Sequence, residues 1–213
     1  EPAWRLWRYG RPARQLRLLL MHREKVTPRP GWQEKVEKLG FDFYTLDGRA
    51  YWTENAAYVF SSDEIDELEA ATEALHEICL KAVEHVVSNR LWDRMKIPAA
   101  WGDYIERVWR RRDPTIDGRF DLVYDGKGPP KMLEYNADTP TALYEAAVVQ
   151  WYWLKDVFPD ADQFNSIHEK LIEAWKEVGG KLPPGATVHF ARFEDHPEDL
   201  RSEEHTSELQ SRF

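Results

Sequence analysis

Ile65, Leu68, Thr72, Leu75, Cys79, Ala82 and Val86 fall alternately three and four positions apart, which predicts one long amphipathic helix with a buried stripe. Ser61 followed by Glu64 supplies a capping box at its start. Acids at 63, 64, 66, 67, 69 and 73 form a solvated face that crowds the N-terminal end, where the helix dipole favours them. Cys79 lies on the apolar stripe, which points to core packing rather than a reactive thiol. Upstream, WQEKVEKLG (Trp32 to Gly40) predicts a short amphipathic helix stopped by glycine, and FDFYTLDGRAYW alternates across Asp47-Gly48 as a hairpin does.

Downstream, AWGDYIERVWRRRD (100–113) reads as a helix whose closing arginines, Arg110 to Arg112, suit its C-terminal end. Two strands flank GKGPP. A helix is expected from about Thr141 to Val157, with Thr139 as its cap and Pro140 at its first position. Another runs from Asp162 to Val178 and stops at Gly179-Gly180, and ATVHFAR reads as a last strand. His76, His85 and His168 ride helices as surface or packing residues. The order of elements is mixed α/β, with no internal repeat.

GRFDLVYDGKGPPKMLEYNAD, Gly118 to Asp138, carries the candidate chemistry. With Lys127-Gly128 as a two-residue loop, Arg119 faces Asn136 and Asp121 faces Glu134, all four on one face. Phe120 opposite Tyr135 and Leu122 opposite Leu133 make the other face apolar; a bulge at Pro129-Pro130 would shift this register. Opposed Cβ atoms lie roughly 5 Å apart, so two carboxylates there repel unless a cation sits between them. Arg119 is one such cation. A divalent ion is the other, since two carboxylates and the Asn136 amide oxygen are hard donors suited to Mg²⁺. The spacing admits both a surface ion-pair ladder and a metal site. The helix expected to follow Thr139 adds free N–H groups and a positive dipole end, an anion cradle beside the oxygens.

Composition narrows the classes. The net charge of −9 argues against a nucleic-acid binder held by phosphate contacts. One cysteine excludes an intramolecular disulfide, and no run of 18 apolar residues predicts a membrane span. A cytoplasmic protein is expected. The ends differ from the middle. Five arginines against one acid give residues 1–20 a net +4, and residues 201–213 net −1, so 21–200 carries −12 of the total −9. Residues 1–20 read either as untranslated upstream sequence read in frame before Met21 or as an Arg-rich leader. RSEEHTSELQS resembles the translation of a sequencing-library adapter, which sets 201–213 apart as adapter-derived.

RFDLVYDGKGPPKMLEYNADTPTALYEAAVVQW resembles the signature of the glutathionylspermidine synthase family, amide ligases of the ATP-grasp type. TPRPGWQEKVEKLGFDFYTLDGRAYW and EIDELEAATEALHEICLKAVEHVV resemble its amidase-lacking members, and the likeness runs from about Met21 to Leu200. The resemblance implies an ATP- and Mg²⁺-dependent ligase that joins a peptide-like (glutathione-like) carboxylate to a polyamine-like (spermidine-like) amine through an acyl phosphate. It implies Asp121, Glu134 and Asn136 as Mg²⁺ ligands. Arg119 becomes the catalytic arginine on the transferring phosphate of ATP, and Asp138, Thr139 and Thr141 line the substrate. The loop between Asp121 and Glu134 is one residue longer than in the best-known polyamine-specific member. The family's remaining ATP contacts lie in a C-terminal half that this chain lacks. Residues 21–200 are therefore expected to be an N-terminal portion, inactive alone. Two other classes stand beside this: a non-catalytic binding or structural remnant, and a metal-dependent phosphoester hydrolase, for which no HExxH or GxSxG motif is present.

Overall fold

A computed structural model describes residues 21–189 except Asp47 and Thr139. The readings made for 1–20, for Thr139, for 190–192 of the last expected strand and for 201–213 lie outside the described residues. Among the described residues the fold is mixed α/β, with three separate two-stranded antiparallel ribbons among helices. Strand β1 (His22–Lys25) pairs with β4 (Ala56–Val59), a ribbon with no apolar alternation to announce it. Helix α1 (Trp32–Lys38) forms where its pattern placed it and closes at Leu39, with Gly40 at φ 87. Strands β2 (Thr45–Leu46) and β3 (Arg49–Ala50) make the small hairpin, pairing Leu46 with Arg49.

Aromatic residues build the core. Val36 of α1, Phe41, Phe43 and Val149 are buried together, with Trp32, Tyr44, Leu46, Trp52 and Tyr144 packed around them. Phe41 and Phe43 lie 4.4 Å apart between ring centroids. Tyr144 donates its hydroxyl to the Leu39 carbonyl, which binds the start of the fourth helical segment to the end of α1. A buried charge network closes the same region. Glu54, with a fully covered side chain, accepts from the Arg29 backbone N–H at 3.2 Å, from Nε at 3.0 Å and from Nη2 at 2.5 Å. Arg29 Nη1 also donates to Asp156 at 2.9 Å, and Lys35 reaches the same carboxylate at 2.7 Å. Burial lowers the Arg29 pKa, but its bonds to Glu54 and Asp156 outweigh that and leave it raised.

Helix α2 (Ser62–Ser88) begins with the expected capping box: Glu64 N–H donates to Ser61 Oγ, and the Glu64 carboxylate accepts from Ser61 N–H. Its expected buried stripe is only half covered. Ile65, Leu68, Thr72, Leu75, Cys79 and Val86 are half-buried and Ala82 is exposed; Glu64 and Val87 are the buried positions. Among the described residues it meets the third ribbon at His76 and the following helix at Glu84. Helix α3 (Ala99–Arg111) crosses its C-terminal end. Trp109 Nε1 donates to Glu84 at 2.5 Å, and Arg90 reaches Asp103 and Glu106 at 2.6 and 2.7 Å. Arg110 meets Glu84 at 3.4 Å and Arg111 meets Asp113 at 2.6 Å, so two of the three closing arginines hold the helix end.

Gly102 lets α3 approach the buried Trp92. A Cβ there would lie 2.6 Å from Trp92 Nε1 and 2.9 Å from Cδ1. Gly102→Ala is expected to destabilise the protein by about 2 kcal/mol through overpacking, despite alanine's better helix propensity. A urea midpoint unchanged by the substitution would contradict that packing.

Strands β5 (Arg119–Val123) and β6 (Lys131–Asn136) make the third ribbon. A π-helical turn (Glu145–Val149) runs into α4 (Gln150–Val157). Helix α5 (Ile167–Gly180) starts five residues after the expected Asp162, following Phe164 at φ 46, and it incorporates both glycines expected to stop it. Residues 186–189 are not in a strand. Among the described residues no helix is long and apolar enough to cross a membrane.

Candidate functional site

The β5–β6 ribbon pairs Arg119 with Asn136, Phe120 with Tyr135 and Asp121 with Glu134, as the alternation required. Beyond Asp121 the register slips: Leu122 meets Met132, not Leu133, and Val123 meets Lys131. Leu133 is the extra residue, and it is 66 % exposed. The irregularity therefore sits within β6, not at Pro129-Pro130, and residues 124–130 form a longer connection than the expected two-residue loop. Met132 and Leu133 are both exposed, at 43 % and 66 %, so the bulge buries neither of them.

The polar face is as follows. Arg119 Nε donates to Asp121 Oδ1 at 2.9 Å, and its Nη2 lies 4.0 Å from Glu134 Oε1. Asn136 Nδ2 donates to Glu134 Oε1 at 2.8 Å. Arg119 Nη1 donates to the Thr141 carbonyl at 3.0 Å and to its Oγ1 at 3.1 Å. One guanidinium thus separates the facing carboxylates and fastens the segment that follows β6. The Arg119 and Asp121 side chains are 36 % and 40 % exposed, open enough for a ligand to reach them.

The segment after β6 departs from expectation. Helical structure begins at Leu143, so Pro140 is not the first helical position, and Ala142 has the left-handed φ of 69. The left-handed Ala142 interrupts any helix begun at Pro140, and Arg119 Nη1 holds the Thr141 carbonyl just before it. Asp138 is exposed just past the strand end. Four of the proposed site residues, Arg119, Asp121, Glu134 and Asn136, share one face, and Thr141 joins them through Arg119. Behind the next turn, buried Glu145 accepts from Tyr51 Oη at 2.6 Å, a contact that the apolar look of ALYEAAVV concealed.

The other face of the ribbon rests on α2. Phe120 and Tyr135 stack at 4.0 Å with planes 19° apart. His76 Nδ1 lies 3.1 Å from the Tyr135 hydroxyl, and Tyr124 donates to Glu67 at 3.0 Å. Burial raises the Tyr135 pKa, with nearby Cys79 adding to it; burial and then the Glu67 bond push Tyr124 up to about 12. Burial likewise raises the pKa of Asp117, just ahead of β5.

Among the described residues no group of three or more His, Cys, Asp or Glu side chains is gathered to hold a metal. The hairpin face is a smaller donor set. Its internal bonds use Asp121 Oδ1, Glu134 Oε1 and Asn136 Nδ2, which leaves Oδ2, Oε2 and the Asn136 amide oxygen as hard donors. A set of that kind fits a small divalent cation completed by water and phosphate oxygens.

Comparison with known proteins identifies the family. The family model described as glutathionylspermidine synthase preATP-grasp matches residues 23–210. The chain belongs to the glutathionylspermidine synthase family. A Haemophilus influenzae protein assigned as an acid–amine ligase is 42 % identical over 161 residues, covering 72 % of this chain and 41 % of its own length. The trypanothione synthetase of Crithidia fasciculata is 28 % identical over 122 residues, covering 54 % of this chain and 18 % of its own length. The glutathionylspermidine synthase of the same organism is 33 % identical over 100 residues, 45 % of this chain and 14 % of its own. The chain thus spans about two fifths of the Haemophilus relative and less than one fifth of each Crithidia protein. In this family the mixed α/β architecture described above is that of the preATP-grasp portion.

Proposed function

We propose that this chain supplies one wall of the active site of an ATP- and Mg²⁺-dependent carboxylate–amine ligase. Residues 21–200 are its N-terminal portion, working together with an ATP-binding portion beyond this sequence. The observation that carries this is the ribbon register, which puts Arg119 between Asp121 and Glu134 with Asn136 alongside, on an open face of a chain in this family. Asp121, Glu134 and Asn136 are the residues that would hold Mg²⁺. When bound there, the ion would supply charge neutralisation on the phosphates. Arg119 aims its guanidinium at the transferring phosphoryl group, which gains charge on its equatorial oxygens in the transition state. Thr141, fixed by Arg119, and Asp138 and Thr139 beside it position the substrates.

The chemistry balances in two steps. A carboxylate oxygen attacks the γ-phosphorus, the bridging P–O bond to ADP breaks, and an acyl phosphate forms. An amine nitrogen then attacks the acyl carbon, the C–O bond to phosphate breaks, and the nitrogen loses a proton. The substrates are a glutathione-like carboxylate and a spermidine-like amine, in line with the names of the Crithidia relatives. We infer a cytoplasmic reaction on small molecules; the net charge of −9 supports no nucleic-acid partner.

Hydroxylamine tests the first step. In the protein at the length of its relatives, carboxylate, ATP and Mg²⁺ should give ADP and hydroxamate in equal amounts when hydroxylamine replaces the amine. Phosphate release from an ester without ADP or hydroxamate would favour a hydrolase instead. No ADP under any carboxylate–amine pairing would favour a binding module.

A further inference from the structure

We propose that Tyr135 is a positioning residue for the polar face behind which it lies, locked in place by His76, Phe120 and Gly118. The proposal rests on the reading of Asp121, Glu134 and Asn136 as a cation site. It goes beyond that reading by assigning a function to the covered face of the ribbon and to α2.

The geometry is specific. Tyr135 sits between Glu134 and Asn136 in β6 and points to the opposite side. Its ring is held on one side by the Phe120 stack at 4.0 Å and at its tip by His76 at 3.1 Å. Gly118 is the third contact: a Cβ there would lie 2.9 Å from Tyr135 Cε2 and 3.0 Å from its hydroxyl oxygen. The ring therefore fills a slot that only a glycine leaves open.

The site needs such a lock for two reasons. An isolated two-stranded ribbon is marginal in water, and its twist is loosely fixed. The bulge at Leu133 also breaks the ladder directly before Glu134, so pairing nearer the loop does not set the roll of residues 134–136. Because successive side chains alternate, any roll of β6 that moves Tyr135 toward α2 swings Glu134 and Asn136 the other way. Fixing Tyr135 fixes both. The Tyr124–Glu67 bond anchors the far end of β5 to the same helix, which makes α2 the reference frame for the ribbon.

Mn²⁺ alone, titrated into this chain and followed by the EPR signal of the free ion, reads the effect without turnover. Tyr135→Phe keeps the stack and loses the His76 bond; His76→Ala loses it from the other side. Each should weaken Mn²⁺ binding about three- to tenfold, the worth of one hydrogen bond, and His76→Gln should recover most of the loss. Gly118→Ala should weaken it further by displacing the ring. Asp121→Asn, measured alongside, separates the two ideas. If Asp121→Asn abolishes binding while Tyr135→Phe and Gly118→Ala bind as the parent does, the positioning role is wrong and the cation site stands. If Asp121→Asn binds normally, the cation site fails and this proposal fails with it. A fall in melting temperature without a change in Mn²⁺ affinity would mark the lock as structural only and overturn the proposal.

Discussion

Arg119→Ala, in the protein at the length of its relatives, is expected to lower the rate of ADP formation about a thousandfold, as loss of a charge-neutralising arginine does in phosphoryl transfer. Folding should barely change. The Arg119 ion pairs are part-exposed, and such pairs contribute about 1 kcal/mol or less. Arg119→Lys should restore little, because a point charge cannot reach Asp121 through Nε and Thr141 through Nη1 at once. Mn²⁺ affinity should not fall. Arg119 competes with any cation for Asp121 and Glu134, so its removal should leave binding as tight as before or tighter. A rate within threefold of the parent would contradict the catalytic role. Weaker Mn²⁺ binding would show that Arg119 builds the site rather than competing for it.

The second large effect is on stability. Glu54→Ala should cost about 3–5 kcal/mol, because it strands a guanidinium that is only 7 % exposed. Asp156 remains as a partner, but it is 44 % exposed and shared with Lys35. For a chain of this size the loss corresponds to a fall in Tm of roughly 10 °C. The double replacement Arg29→Met with Glu54→Leu should regain most of it, since apolar residues of similar volume often match a buried pair. Urea unfolding of the three variants measures this. A Glu54→Ala loss under about 1 kcal/mol would mean that water reaches Arg29 readily and that the network is not what joins the segment before α1 to α4.

How much of this was legible depended on how local each cause was. The capping box and start of α2 were legible because Ser61 and Glu64 satisfy one another within four residues. The pairs Arg119–Asn136 and Asp121–Glu134 were legible because both strands alternate and a slip would turn charges inward. The slip beyond Asp121 was not, since Met132 and Leu133 are both apolar and a period of two cannot choose between them. Thr139-Pro140 is a sound helix start by local rules, yet helical structure waits until Leu143, past the left-handed Ala142, in a segment held by Arg119 from twenty-two residues before Thr141. The β1–β4 ribbon was hidden because HREK has no apolar side to bury. Gly179-Gly180 is a strong stop signal that helix α5 nevertheless runs through, and we have no physical account of why.

The cation site is most directly tested by paramagnetic broadening. Mn²⁺ added in small amounts to the isotopically labelled chain should first erase the amide signals of Asp121, Glu134 and Asn136, with Arg119 and Thr141 next. Broadening centred instead on the acidic first turns of α2, at Asp63, Asp66 and Glu67, with the ribbon face untouched, would contradict the site and leave Arg119 as the sole cation between its two carboxylates.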